Sequence, residues 1–355
     1  MLDFIFNKKY RNPANLAEYQ EFIISKQSIN LIDVNNIILE MKKYNILFES
    51  FLGLNGIAEN NLYIRQQVIL AGLYFLNGDK DSCKSSKIKA DNVLRNLKRG
   101  WQYLEGYSYL LYVISAYEFY FRYVSQYAYG TIDLSSLYTM KSYLSNISAP
   151  DGSILLTDTY FTDKIFNNDR IDFSNDLVST RYVNDETTFV FINHNSNINR
   201  LSNNLHINYE FGHFAVYCKD KWVVKHPFYP GYHLKSSTDI KESWNHNIII
   251  DGMKTKEPYW RYLPKQDLVY EKEGNVHKFK MGKNITRKIE ILSAGIFVTD
   301  NGGDYSSFNL ADNCKFNYSG RAIEKIGYHS TERGKIEKHK RLELSGDNRI
   351  FWMEF

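Results

Sequence analysis

Four of the nine histidines of this 355-residue chain fall in one aromatic-rich stretch, "LHINYEFGHFAVYCKDKWVVKHPFYPGYH", as His206, His213, His226 and His233. A fifth, His246, follows in "ESWNHNIIIDG". Imidazole changes charge near neutral pH, ligates metals through a neutral ring nitrogen and holds anions, so its concentration in one segment marks a place where protons, a metal or an anion are handled. The same side chain is also an ordinary half-buried member of a sheet. Two segments far upstream add other chemistry. Asn55 in "LNGIAENN" offers an amide, and Tyr109 in "GWQYLEGYSYLLY", four residues after Glu105, offers a phenol. Read locally, the Asn-Gly pair is also a turn signal and Ser108 is also a helix cap.

These residues need elements to hold them. Between residue 13 and about 147, "LIDVNNIILEMKKYNILF", "NLYIRQQVILAGLYFL", "ADNVLRNLKRGW", "YSYLLYVISAYEFYFRYV" and "DLSSLYTMKSYLSNI" repeat apolar residues every three or four positions, which predicts helices joined by short polar links. Paired as hairpins, such helices suit an incomplete (α/α) toroid. From "APDGS" onward the chain turns rich in Asp, Asn and Thr. After about residue 186 it shows period-two or short buried runs, among them "TTFVFIN", "HFAVYC", "KWVVKH", "HNIIIDG", "KIEILSAGIFVTDNGG" and "RIFWMEF". With "DG", "NGG" and "SGD" between them, these predict antiparallel strands in stacked sheets. The expected organisation is α+β and multidomain: a helical incomplete toroid over 1–150, a bridge over 151–185, and an antiparallel β-sandwich over 186–355.

Composition narrows the function. The 44 Lys and Arg nearly balance 40 Asp and Glu, and no long basic run marks a nucleic-acid arm. A nearly neutral protein can still build a local positive patch for an acidic ligand. The 28 Tyr and 22 Phe suit sugar faces, since a flat ring with a polar tip both stacks and hydrogen-bonds. Cys83, Cys218 and Cys314 are odd in number and far apart, which argues against a disulfide framework or a cysteine-based zinc knot. The N-terminus lacks a basic stretch followed by a long apolar one, and no apolar run reaches membrane-spanning length. The expectation is a soluble protein without membrane partners, cytoplasmic by default, with a phage particle or other signal-less export as the alternative. Oligomeric state is left open. The absence of a P-loop, HExxH or GxSxG disfavours nucleotide and serine-esterase chemistry.

The run from His206 through "HFAVY", "KWVVKHPFYPGY" and "WNHNIIIDG" resembles the sheet domain of the heparinase II/III-like polysaccharide lyases. Upstream, "EGYSY" and "NGIAENNLYIRQQVILAGLYF" are similar to two elements of their helical toroid, and Asn55 and Tyr109 are 54 positions apart, close to that family's spacing. The resemblance covers roughly residues 45 to 300. It implies β-elimination on an acidic, uronic-acid-containing glycan with no cofactor required. In such a reaction the C5 proton, alpha to a carboxylate, is removed and the C4 glycosidic oxygen leaves, so the site must neutralise the carboxylate as charge develops. The resemblance assigns that task to Asn55 and His206, acting by hydrogen bonding. Tyr109 becomes the proton-transfer residue, a phenol serving as base and acid once neighbouring positive charge lowers its pKa from about 10. His206 is the alternative C5 base.

Glu105, His213, Tyr229, Tyr232, Lys241 and His246 are the expected sugar contacts. Some relatives hold a structural zinc at positions matching Asn208, His226 and His246, which makes His226 and His246 candidate ligands in need of a further donor. The chain departs from the family at Gly56, where many relatives carry His, and at His226, where they carry Asp. His206 lies two residues further than usual from the strand at Phe214, so His213 stands as its rival. Two other functions fit the same architecture. A glycoside hydrolase needs a carboxylate pair, for which Glu59, Glu105 and Glu210 are available, and a carbohydrate-binding or assembly protein needs none.

Overall fold

In "QVILAGLY", residues 67–74, every residue is buried, so this stretch of helix α1 (Asn61–Leu76) is enclosed on all sides rather than on one stripe. The computed structural model describes residues 61–97, 134–155, 171–175, 178–184, 187–194, 210–228, 245–252, 268–312, 314–332 and 335–355, with isolated helical positions between 35 and 42 and between 111 and 118. The turn after α1 closes at Gly78, whose φ of 73° suits the left-handed position that follows a helix. Asp79 then caps α2 (Lys80–Leu97), its Oδ1 accepting the Ser82 N–H at 3.0 Å. Apolar spacing alone places this helix from residue 90. The cap starts it ten residues earlier, through polar turns that bury Cys83, Ser86 and Lys87. A third helix, α3 (Leu134–Asn146), contains the division of the chain into two compact units, 1–142 and 143–355. Among the described residues no helix is long and apolar enough to cross a membrane.

The second unit is antiparallel β structure. Its strands are β1 (Phe173–Ser174), β2 (Val178–Val183), β3 (Thr188–Asn193), β4 (Phe214–Cys218), β5 (Lys221–Val224), β6 (Ile249–Ile250), β7 (Leu268–Glu273), β8 (Val276–Met281), β9 (Ile285–Leu292), β10 (Gly295–Asn301), β11 (Tyr305–Leu310), β12 (Phe316–Glu332) and β13 (Lys335–Glu354). They hydrogen-bond along one path, β1-β2-β3-β4-β5-β11-β13-β10-β9-β8-β7, with β6 on β11 and β12 on β13. The path curls back on itself: His194, just after β3, stacks on Tyr270 of β7 with ring centroids 3.9 Å apart. One apolar core fills the curl, drawing Ile192, Phe214 and Val216 from one end and Phe279, Ile289, Val298 and Phe351 from the other. β3 and β4 are buried throughout, as strands covered on both faces must be, whereas β8 and β9 alternate between core and solvent.

The strands differ from the expected layout. The stretch 151–185, expected as a loop-rich bridge, carries β1 and β2, whose Asn, Ser, Thr and Arg content hid them. "SGD" at 345–347, expected as a turn, lies inside β13, and the strand runs on through Gly346 at φ 106°. Its partner β12 carries Gly320 at φ 107° with a register shift beside it, so the two long strands bulge instead of ending. A Cβ on Gly320 would meet the Ser345 carbonyl oxygen at 2.9 Å, which excludes other residues there. The sheets expected as a stacked sandwich are joined here by continuous hydrogen bonding. Three of the five helical stretches on which the toroid expectation rests are helices here, and the other two lie largely outside the described residues.

Candidate functional site

The period-two pattern of β9 and β10 turns Arg287 and Asp300 toward the core beside Ile289 and Val298. The two are direct cross-strand neighbours and form a forked ion pair, Nε to Oδ1 at 2.8 Å and Nη2 to Oδ2 at 2.6 Å, with both side chains at most 1% exposed. Arg287 lies between the rings of Phe214 and Phe308, 5.9 and 5.6 Å from their centroids. Its remaining donor joins two loops, because Nη1 reaches the carbonyls of Gly212 (2.9 Å) and Asn247. Those loops carry His213 and His246.

His213 follows a tight turn in which its N–H bonds the Glu210 carbonyl at 2.8 Å and Gly212 takes φ 79°. His226 lies two residues past β5, and His246 lies just before β6. The three rings cluster: His213 is 5.1 Å from His226 and 5.4 Å from His246 between centroids. His213 Nδ1 accepts the backbone N–H of Asn247 at 3.0 Å, and its Nε2 contacts His226 Nδ1 at 3.0 Å. Asn247 fastens the arrangement, its Nδ2 donating to the carbonyls of Phe214 (2.8 Å) and Lys225 (2.9 Å). His246 Nδ1 lies 3.6 Å from Glu210 Oε1, outside hydrogen-bond range, and neither ring nitrogen of His246 has a hydrogen-bond partner among the described residues. Burial holds His246 down at about 3, so this contact is not an ion pair. Burial also keeps His213 and His226 well below the usual imidazole range, reinforced by the other rings of the cluster.

A second pair, His329 and His339, sits across the β12–β13 hairpin with Nδ1 atoms 3.2 Å apart. His339 Nε2 contacts Asn309 Oδ1 at 2.9 Å, and Lys225 Nζ contacts His329 Nε2 at 3.5 Å. Gly327 makes room for them, since a Cβ there would meet His339 Nε2 at 2.4 Å. At the other end of the sheet, Ser179 Oγ bonds His194 Nε2 at 3.0 Å and Tyr270 Oη bonds His277 Nδ1 at 2.8 Å.

Of the expected site residues, the structure brings together His213, His226 and His246. Asn55, Glu105, Tyr109, His206, Tyr229, Tyr232 and Lys241 lie outside the described residues. His213 and His246, expected as sugar contacts, are each 0% exposed. Nor do the described residues fit the zinc expected at His226 and His246. No group of three His, Cys, Asp or Glu side chains among them is arranged to hold a metal ion, His213 takes the near nitrogen of His226, and Asn208 lies outside the described set. Sequence reasoning missed Arg287, Asp300, Asn309, His329 and His339. For Asn247 the signal was present in "HNIIIDG".

No family model matches the sequence, and no curated protein matches it. Solved structures do match. The heparan sulfate lyase HepC from Pedobacter heparinus aligns over 82% of this chain and 59% of its own length, at 12% identity and a TM-score of 0.60. A crystal structure of heparinase III aligns over 84% and 61% at 11% identity and a TM-score of 0.61. A second heparinase III structure aligns over 83% and 59% at 11% identity and a TM-score of 0.58. The chain thus spans about three fifths of the length of the structures it matches, and at these identities the likeness is one of fold.

Proposed function

We propose that this chain is a polysaccharide lyase that cleaves an acidic, uronic-acid-containing glycan by β-elimination. The observation that carries the reading is the fold likeness to heparan sulfate lyases, which agrees with the sequence elements "HFAVY", "HNIIIDG" and "EGYSY". In this reading Asn55 and His206 neutralise the uronate carboxylate, and Tyr109 moves the C5 proton and protonates the leaving oxygen. The geometry of His213 favours His206 as the reactive imidazole: both His213 nitrogens are engaged within the fold, which leaves none for a sugar. A hydrolytic alternative draws less support, because Glu210 is 3% exposed and its Oε2 accepts from Asn193 Nδ2 at 2.9 Å.

Incubation with a panel of uronate polymers is the test. Elimination leaves an unsaturated sugar that absorbs in the near ultraviolet, and Tyr109→Phe should lower that signal by about a hundredfold or more while glycan binding persists. His206→Ala should be equally silent. New reducing ends without the chromophore would replace the lyase by a hydrolase, and neither product would leave a binding protein.

The reading requires no metal, and His226 and His246 are assigned no ligand role toward one. Purified protein is expected to carry well under one equivalent of zinc, with a Tm unaffected by chelator. Stoichiometric zinc whose removal lowers the Tm would restore the pair as ligands.

A further inference from the structure

We propose that the cavity walled by Trp222, Lys225, His226, Phe228, His329 and Thr331 binds the anionic group of an acidic sugar, with Lys225 and His226 as its donors. Two hydrogen-bond chains fix which of the nitrogens carry protons. In the first, the Asn247 N–H donates to His213 Nδ1, so the proton of that neutral ring sits on Nε2 and donates to His226 Nδ1. The proton of His226 is therefore on Nε2, at the end of this chain. In the second, Asn309 Nδ2 donates to the Asn245 carbonyl at 2.9 Å, which turns its Oδ1 to accept from His339 Nε2. His339 Nδ1 then accepts from His329 Nδ1, and His329 Nε2 accepts from Lys225 Nζ. The ammonium keeps its other N–H groups.

Both chains thus end as donors at one cavity. Lys225 is half-buried and, among the described residues, has no carboxylate within ion-pair distance; exposed Asp312, which also lines the cavity, and Glu337 act on it through space. With Lys225 and His226 as donors, the cavity favours a ligand that accepts, a carboxylate or a sulfate. An independent observation marks the same wall. Phe228 holds φ 49°, a conformation that costs a bulky residue about 1–3 kcal/mol and tends to persist at ligand clamps. Its ring packs edge-on against His226 at 4.9 Å and against half-buried Trp222 at 6.1 Å, and Trp222 offers a sugar a ring face. Naming a sugar rather than any small anion rests on the lyase reading; the donor set does not.

The test is calorimetric titration of the full chain with sodium glucuronate, glucosamine 6-sulfate, methyl glucoside and inorganic sulfate. One of the two charged sugars is expected to bind at least about tenfold tighter than methyl glucoside, and which of them does so separates carboxylate from sulfate. Lys225→Met should lose about tenfold or more of that affinity at unchanged Tm, and Lys225→Arg should keep most of it. If Lys225→Met fails to fold, nitrogen NMR of the histidine rings in the wild type takes its place, with a glucuronate-dependent shift of His226 expected. Binding no tighter than methyl glucoside, undiminished binding by Lys225→Met, or an unmoved His226 would each overturn the proposal. Inorganic sulfate binding as tightly as the charged sugars would overturn the sugar assignment. A protein that binds glucuronate yet eliminates nothing would sink the lyase reading and leave this one standing.

Discussion

Lowering the pH from 7.5 toward 5 is expected to unfold the β unit cooperatively, with a midpoint between about 5 and 6. Seven of the nine histidines are described, and burial pushes every one below the ordinary value: His194 and His329 to about 4, His246, His277 and His339 to about 3, and His213 and His226 in the same direction. In the unfolded chain each takes up a proton near pH 6.5. Between that value and the folded pKa values the unfolded state binds more protons, so stability falls as pH falls. The contribution is complete above about pH 6.5 and erodes down to pH 4–3. Each group costs about 1.4 kcal/mol at one pH unit below 6.5, so seven sum to roughly 10 kcal/mol at pH 5.5. Half of that rivals the roughly 5–15 kcal/mol that holds a typical domain together. Circular dichroism and tryptophan emission followed from pH 8 to 4 give the midpoint. Carboxylate-driven unfolding sets in nearer pH 4, so a fold intact at pH 4.5 would show that these imidazoles are not held neutral.

The histidine cluster was half legible in the sequence. Buried runs in "HFAVY" and "KWVV" place β4 and β5, and hence His213 and His226 at their ends, because short apolar strands announce themselves by composition. β2 was missed for the opposite reason. Its residues Ser179, Thr180 and Arg181 read as loop until Ile192, Phe191 and Val190 of β3 pair with them. His329 and His339 are ten residues apart, and only the register of the β12–β13 hairpin makes them neighbours. The polar network is likewise a tertiary product. Asn309 sits in "YSSFNL" like any strand residue, and the three partners of its side chain come from loops and strands 30 to 64 positions away.

Asp300→Ala is expected to cost about 3–5 kcal/mol of unfolding free energy, because it leaves a guanidinium in the core without its counter-charge. In "NITRKIEIL" the arginine reads as one more surface charge, yet its strand phase puts it on the same face as Ile289 and Ile291. An apolar pair of similar volume, Arg287→Met with Asp300→Leu, removes both charges and recovers part of the loss. It cannot recover all of it. The carbonyls of Gly212 and Asn247 lose the donor that joins the His213 turn to the Asn247 loop, at about 1–3 kcal/mol for each group left unsatisfied. The double variant should therefore fall between wild type and Asp300→Ala in urea unfolding. If Asp300→Ala shifts the midpoint by less than about 1 kcal/mol, the pair is hydrated and the loops are held by other means. A double variant as stable as wild type would confine the role of Arg287 to its partner carboxylate. The intermediate result, together with disturbed His213 and His226 ring resonances, would identify one buried arginine as the tie between the strand core and the imidazoles above it.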